Sequence, residues 1–335
     1  MEIKEPLSTQ SLRDCGKMLG EKESPCDQPC STEGGAEPLI VGYHIGKGNG
    51  FHQSVPAAKA FLKTKGIDMT AAQIFVVGPQ GGNVVIDDLD IKLLAKFVDE
   101  EKFNLVVHGA YIDVPWSTTA ATAKRSIALI KRELKICAAI HAVGLNIHLT
   151  AAIDKAIVEV MKELLSDLAP LGLKKLGKKE ITDGKAPATG GAVRVYLEIP
   201  ARKPTRLTFE TPERLTSLYV ALTRAGLADK VGFTLDTAHI WSCGVDISTH
   251  ALAKAYLDAL PPAHYMIHLN DNFNPLGTHK DIHAPLGEGT MWKKEAAWQD
   301  FLGFAKKTGA IVILERSTTA DSPTDNVALA EYMQH

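Results

Sequence analysis

The chain has 335 residues, 45% of them apolar and 23% charged, with a formal net charge of −2; this balance is ordinary for a soluble globular protein and argues neither for nor against a nucleic-acid partner. No apolar stretch approaches the roughly 20 residues needed to span a bilayer, and the N-terminus lacks the basic-then-apolar layout of a signal peptide, so an intracellular protein without membrane association is expected. Five cysteines (Cys15, Cys26, Cys30, Cys137 and Cys243) do not make a disulfide framework in a chain of this length. Cys26-Asp-Gln-Pro-Cys30 has a spacing that metal binding or a redox-dependent bridge would need, but is read as doing neither.

Residues 1–37 are rich in Ser, Glu, Gly, Pro and Lys without a sustained apolar period, which predicts a largely disordered leader. From residue 38 the pattern is regular. Apolar strand-like runs occupy 39–44, 72–77, 103–108, 144–149, 193–198, 231–236, 264–269 and 310–315. Helix-like segments follow them at 54–65, 87–101, 119–142, 152–168, 211–227, 249–260, 294–307 and 322–333. Asp87 and Ser248 are expected helix caps, and Lys306-Lys307 before Gly309 marks a helix end. Fully apolar strands alternating with helices imply a parallel sheet covered on both faces. Eight such units predict an α/β fold, a (β/α)8 TIM barrel, as a single domain over 38–335. The open doubly wound alternative lacks support, because no G-x-G-x-x-G opens any helix. One connection, 171–192, departs from the rhythm with five lysines and five glycines. It is read as a solvated loop insertion, with non-specific attraction to a polyanion as the weaker alternative.

Three metal-ligand side chains, His268, Asp281 and His283, fall within sixteen residues. The apolar run before His268 ends abruptly in Asn270 and Asp271, which places His268 where a strand emerges into a loop. Asp281 and His283 are two apart, so in extended chain their side chains point the same way. The same residue types end strands three to eight in turn: His108, His148, Glu198, Asp236, His268 and Glu315. In a barrel these ends converge on the face that carries active sites. His239, three residues past Asp236, and the Asp281/His283 pair lie in loops on that face. Five histidines and four carboxylates exceed what one or two ions need and fit three. Imidazole and carboxylate without thiolate suit Zn²⁺ first, with Mn²⁺ as the alternative. Such a centre addresses phosphodiester hydrolysis, since adjacent cations neutralise the phosphate, activate a water and stabilise the leaving oxygen. Three divalent ions against four carboxylates leave a net positive site on an acidic chain. His141, His250, His264 and His335 have bland placements; His44 and His52 are less easily dismissed.

The motifs His108-Gly-Ala-Tyr111, Leu145-Asn-Ile-His148, Leu197-Glu-Ile-Pro200, Leu235-Asp-Thr-Ala-His239, His268-Leu-Asn-Asp271, Asp281-Ile-His-Ala-Pro-Leu-Gly-Glu-Gly289 and Leu314-Glu315 resemble the endonuclease IV family of zinc-dependent apurinic/apyrimidinic (AP) endonucleases. The resemblance runs from about Leu39 to the C-terminus and fills all nine ligand positions of that family. Asp113-Val-Pro-Trp116, Thr237-Ala-His-Ile-Trp-Ser242 and Pro261-Pro-Ala-His264 look most like the versions from large cytoplasmic DNA viruses. What the resemblance implies is a trinuclear zinc centre. Its first ion would be held by His108, His148 and Glu198. The second would take the bridging Glu198 with Asp236, His268 and Glu315, and the third His239, Asp281 and His283. Glu198 is thus the central catalytic position. The implied reaction is attack of a hydroxide on the phosphate 5′ of an abasic site in double-stranded DNA, leaving a 3′-hydroxyl and a 5′-deoxyribose phosphate, by a monomeric enzyme. A 3′-to-5′ exonuclease or 3′-end-cleaning activity would accompany it in a broader reading.

An abasic site offers no base edge, so recognition must use shape and side chains that fill the gap. Tyr111 is carried over as a DNA-contacting residue. Gln80 stands in the loop where Arg is commoner, and Ile282 stands between two ligands where Arg is common, with Lys280 beside it as the compensating contact. Trp116, Trp241 and Trp292 are read equally as packing or stacking residues. The competing readings are a metal-dependent sugar isomerase or dehydratase on a related barrel, which would leave His239, Asp281 and His283 without a role, and a non-catalytic DNA-binding protein, which would have lost at least one ligand.

Overall fold

The structure, a computed structural model, describes residues 38–149, 153–166, 193–201, 209–316 and 323–334. The expected leader over 1–37 and the Lys/Gly-rich insertion over 171–192 lie outside them. Short runs of aliphatic and β-branched residues form the wall of the fold: β1 (Ile40–His44), β2 (Ala71–Ile74), β3 (Asn104–His108), β4 (Gly144–His148), β5 (Arg194–Glu198), β6 (Val231–Asp236) and β7 (Tyr265–His268). After β7, β8 (Asp271–Asn272) and β9 (His283–Ala284) pair antiparallel as a separate hairpin, and β10 (Ile311–Leu314) then completes the wall. The eight wall strands are parallel and close in the order β1-β10-β7-β6-β5-β4-β3-β2. This is the expected barrel, because strands buried on both faces can satisfy their backbone by lateral pairing and their side chains by packing inward and outward.

The outward faces meet α1 (Phe51–Lys63), α2 (Asp88–Glu101), α3 (Ala120–Ala139), α4 (Asp154–Ser166), α5 (Pro212–Arg224), α7 (His250–Asp258), α8 (Trp298–Thr308) and α9 (Pro323–Met333), with a short α6 (Thr237–Ser242) directly after β6. Each long helix buries one stripe. Leu94 and Val98 on α2, Ile130 and Leu134 on α3, and Ile157, Met161 and Leu164 on α4 follow the three-to-four spacing that puts them on one side. Inside the wall a smaller cluster of Ala71, Val106, Tyr196, Met266, Ile311 and Ile313 plugs the barrel. Tyr196 fits there because its strand neighbours are glycines: a Cβ at Gly144 would stand 2.6 Å from the Tyr196 ring and one at Gly232 2.9 Å.

Boundaries fall within a few residues of those expected from the sequence. Asp87 caps α2, its carboxylate accepting from Asp90 N at 2.8 Å. The cap expected at Ser248 belongs instead to Thr249, whose hydroxyl accepts from Leu252 N, because the Ser248 backbone is held outside the helix by Asp246. His141, expected within a helix, sits just beyond α3 with φ 57° and bonds Asp99. The two elements the sequence did not announce, α6 and the β8–β9 hairpin, both carry candidate ligands. Among the described residues no helix is long and apolar enough to cross a membrane.

Candidate metal centre

Parallel register brings the strand ends together. His148 lies beside Glu198 on β4 and β5, and Asp236 beside His268 on β6 and β7. Asp236 also starts α6: its Oδ1 accepts from His239 N at 2.9 Å, so the carboxylate that ends the strand orients the turn bearing His239. The remaining candidates arrive on the hairpin. Asp271, fully buried, accepts from Asn272 N, Gly287 N, Gly289 N and Met291 N and so folds the chain on both sides of β9 into one loop. Asn272 Nδ2 donates to Lys280 O at 3.1 Å and Ala238 O at 3.4 Å, which ties the ligand-bearing stretch to α6.

All nine candidate ligands meet at the C-terminal mouth of the barrel, with Glu198 at the centre. His108 Nε2, His148 Nε2 and His268 Nδ1 stand 3.3 Å from its carboxylate oxygens, and His239 Nδ1 3.4 Å. His268 Nδ1 is also 3.3 Å from Glu315 and 3.7 Å from Asp236. Asp281 lies 3.2 Å from His239 Nε2 and 2.9 Å from His283 Nε2. Three sets of donor atoms lie within 4.8 Å of one another: His108, His148 and Glu198; Glu198, Asp236, His268 and Glu315; and Asp236, His239 and His283. Glu198 is common to the first two sets and Asp236 to the last two. The third set differs from the expected one in drawing on Asp236 where Asp281 was expected, although Asp281 touches both of its histidines.

The outer hydrogen bonds fix which nitrogen each imidazole presents. His108 Nδ1 donates to Gly109 O at 2.8 Å, His239 Nδ1 to Ile199 O at 2.7 Å and His268 Nε2 to Gln73 Oε1 at 2.9 Å. The other ring nitrogen of each faces the carboxylates. His268 Nδ1 and His283 Nε2 have no hydrogen-bond partner at all, with carboxylate oxygens 3.3 and 2.9 Å away. Carboxylates buried this close together need positive charge among them, from protons on the rings or from metal ions, and imidazole–carboxylate sets backed by a second hydrogen bond are the usual environment of divalent metals. The donor set fits such ions.

Three amides that sequence reasoning did not single out complete the arrangement. Gln73 on β2, fully buried, accepts from His268 and donates to Glu315 Oε1 at 2.9 Å and to His44 Nδ1 at 3.1 Å. Asn146 on β4 donates to Glu198 Oε2 and accepts from Thr234. Asn270 donates to Asp236 at 3.0 Å and to Glu315 at 3.2 Å. The one signal for them in the sequence is a polar residue interrupting or ending an apolar run. His44 thus belongs to the periphery of the centre, whereas His52 pairs with Asp90 at 2.6 Å.

Electrostatics follow from this packing. Burial alone would raise the Glu198 carboxyl, but the neighbouring charges of His148 and His268 and hydrogen bonds from His108 and His148 outweigh it and hold the group well below the usual range. Burial likewise opposes charge on His268 and His239, yet Glu315 and Glu198 push the first, and Asp236 with Asp281 the second, well above an ordinary histidine. His44 goes the other way, to about 3, through burial and the nearby His108 and His268.

Of the candidate DNA contacts, Tyr111 is 55% exposed with its ring 5.4 Å from those of His108, His148 and Phe75, so it stands on the rim of the centre. Gln80 is exposed, and its loop is joined to Tyr111 by the Tyr111 N to Pro79 O bond at 2.8 Å. Lys280 is exposed on the hairpin loop beside Asp281, and Ile282 next to it is 54% exposed. Trp116, Trp241 and Trp292 are buried, Trp241 and Trp292 donating to Asn274 O and Ile247 O; they pack.

Residues 61–334 match the xylose isomerase-like TIM barrel family. Over 286 residues the chain is 32% identical to the probable AP endonuclease of African swine fever virus (isolate Tick/Malawi/Lil 20-1/1983), covering 82% of this chain and 88% of that one. It is 26% identical over 266 residues to probable endonuclease 4 of Thermosipho africanus, covering 76% and 84%. The crystal structure of AsfvAP:AG superposes with a TM-score of 0.71 at 28% identity, over 88% of this chain and 97% of that one. Endonuclease IV from Thermus thermophilus shares the fold, with a TM-score of 0.63 at 19% identity over 89% and 99%. The chain belongs to the xylose isomerase-like TIM barrel family and, within it, to the endonuclease IV group of AP endonucleases.

Proposed function

We propose that the chain is a zinc-dependent AP endonuclease that hydrolyses the phosphodiester 5′ of an abasic site in double-stranded DNA, leaving a 3′-hydroxyl and a 5′-deoxyribose phosphate. The observation that carries this reading is the set of donor groups joined through Glu198 and Asp236 at the barrel mouth, in a chain whose relatives are named as AP endonucleases and endonuclease 4.

In this proposal His108, His148 and Glu198 hold one ion, Glu198, Asp236, His268 and Glu315 a second, and His239, His283 and Asp281 a third, with Asp236 in reach of it. When bound, the ions neutralise the phosphate and lower the pKa of a water. The protein supplies the rest. Gly109 O, Ile199 O and Gln73 hold three imidazoles in the neutral tautomer that can ligate. Asn146 and Asn270 fix carboxylate oxygens whose charge the site needs, without competing for their remaining lone pairs. Every imidazole and carboxylate at the centre is assigned as a ligand, so no side chain is left as a general base. Tyr111 covers the His108 and His148 rings from the solvent side and presents an aromatic face to the duplex, and Gln80 and Lys280 are the proposed flanking DNA contacts. One chain contributes every ligand, so the activity needs no second copy.

The test is incision of a duplex carrying one abasic site, labelled at either end, with the intact duplex as control. A single cut 5′ of the lesion with an extendable 3′ end is expected. Conversion of ketose sugars with no incision would instead place the chain functionally with sugar epimerases, whose barrels it also resembles in fold.

A further inference from the structure

Tyr111 and Ile112 form the tip of a tight turn: Asp113 N donates to Ala110 O at 3.0 Å, and the two tip residues are 55% and 45% exposed. Beneath the turn lies Glu133 of α3, with no solvent exposure. Glu133 Oε1 accepts from Ala110 N at 3.2 Å on one side of the tip, and Asp113, whose amide donates to the same residue's carbonyl, sets its carboxyl as the charged neighbour of Glu133 on the other. Asp113 is itself 5% exposed. Asp113 Oδ1, Asp113 Oδ2 and Glu133 Oε2 are all buried with no hydrogen-bond partner. Two carboxylates are acceptors only, so a buried contact between them forms a hydrogen bond only when one carries a proton.

We propose that Asp113 and Glu133 are a positioning pair that shares one proton, clamps both ends of the Tyr111–Ile112 turn, and thereby sets how tightly the centre grips abasic duplex. The inference rests on the proposed role of Tyr111 in DNA contact. Neither residue is among the candidate ligands, and neither touches one.

The electrostatics agree with the geometry. Burial, joined by the charge and hydrogen bond of Asp113, pushes Glu133 up to about 9, and burial pushes Asp113 up to about 6. The ionisable groups that face Glu133 are Asp113 from the turn and Cys137 one turn along its own helix. Burial and the Glu133 charge push that thiol well up, so it stays neutral. From the barrel side Glu133 faces the Gly109–Ala110 backbone, which carries no charge. Both carboxyl pKa values are raised in the folded protein, so the folded state holds protons that the unfolded chain has released. The clamp is complete below about 9 and is lost as pH rises through that value.

One pH unit above the upper pKa about a tenth of the molecules keep the proton, and an apparent affinity falls with the competent fraction. For the zinc-loaded enzyme on abasic duplex, KM is therefore expected to rise about tenfold between pH 8 and pH 10, with kcat changing little. Glu133→Ala should show the high KM already at pH 7.5. Glu133→Gln should restore the low KM and keep it flat to pH 10, because the amide oxygen still accepts from Ala110 N while its NH2 donates permanently to Asp113. Infrared spectroscopy supplies a readout independent of cleavage: a protonated carboxylic acid band at pH 7.5 that disappears in both E133Q and D113N. A wild-type KM that is flat to pH 10, an E133Q profile that rises like wild type, or absence of the band would each overturn the proposal. Failure of all proteins to cut at any pH would refute the nuclease reading and the gripping role together, and the band would still decide whether the proton is shared.

Discussion

Replacing Glu198 by glutamine removes the charge on which the centre converges while changing almost no volume. The carboxylate is 1% exposed and has four imidazole nitrogens at 3.3 to 3.4 Å. Asn146 Nδ2 donates to Oε2, so the amide oxygen of the variant must occupy that position and its NH2 must turn to the other side, toward His148, His239 and His268. An NH2 there cannot ligate and places a donor where an anion belongs. Removing one member of a buried charged set costs about 3–5 kcal/mol, which corresponds to a loss of roughly two to four orders of magnitude in kcat/KM. The assay is incision of end-labelled abasic duplex under zinc excess, with circular dichroism to show that the fold persists. A folded, zinc-replete Glu198→Gln protein that keeps more than about a hundredth of wild-type kcat/KM would refute the bridging role.

Tyr111→Ala should weaken binding to abasic duplex by about 1–3 kcal/mol, as for loss of one aromatic stacking contact, and weaken binding to intact duplex less; equal losses on both would make Tyr111 a packing residue. Gln73→Leu removes the acceptor for His268 and the donor for Glu315 together, and should lower zinc affinity about 10- to 100-fold; unchanged affinity in a zinc titration would show that Gln73 does not orient the ligands. In the metal-free protein His239, His268 and His283 are raised while Glu198, Asp236 and Asp281 are lowered. The histidine contribution is full below about 6.5 and falls away as pH rises from there through the raised folded values, and the carboxylate contribution is full above about 4.5 and falls away as pH drops from there through the lowered ones. Chelated protein should therefore melt highest near pH 5 to 6 and less stably at pH 8, and zinc should restore most at the higher pH; a chelated melting temperature that climbs from pH 6 to pH 8 would contradict this. Gly232→Ala places a Cβ 2.7 Å from His264 O and 2.9 Å from the Tyr196 ring and should cost about 1–3 kcal/mol by overpacking, which thermal denaturation would detect.

The barrel was legible because each wall strand is a short, mostly apolar run, and the candidate centre because its candidate ligands stand at the ends of those runs or in the loops just past them, where apolar residues give way to His, Asp or Glu. His148 and Glu198 were singled out on that ground, and His268 on that ground together with Asp281 and His283 close behind it. His239 was legible as a candidate ligand but its helix was not, although Asp236 three residues ahead of it has the spacing of a cap for a short helix. The amides were harder. Gln73, Asn146 and Asn270 sit within or just past apolar strands, where one polar residue reads as an ordinary interruption until the partner across the barrel is known. Asp113 and Glu133 are twenty residues apart on a turn and a helix, and a buried carboxyl pair leaves no local pattern. The tryptophans were open in the sequence because an indole serves a core and a base stack equally well; burial assigns them to packing. Asp271 read as the end of a strand, and its role in folding the ligand loop depends on backbone donors that sequence does not display.

The central claim, a multinuclear zinc centre built from these residues, is tested most directly by elemental analysis of the protein purified without chelators. The account predicts about three zinc ions per chain, falling when Glu198, Asp236 or His239 is replaced. One ion or none per chain, unchanged after zinc reconstitution, would contradict it.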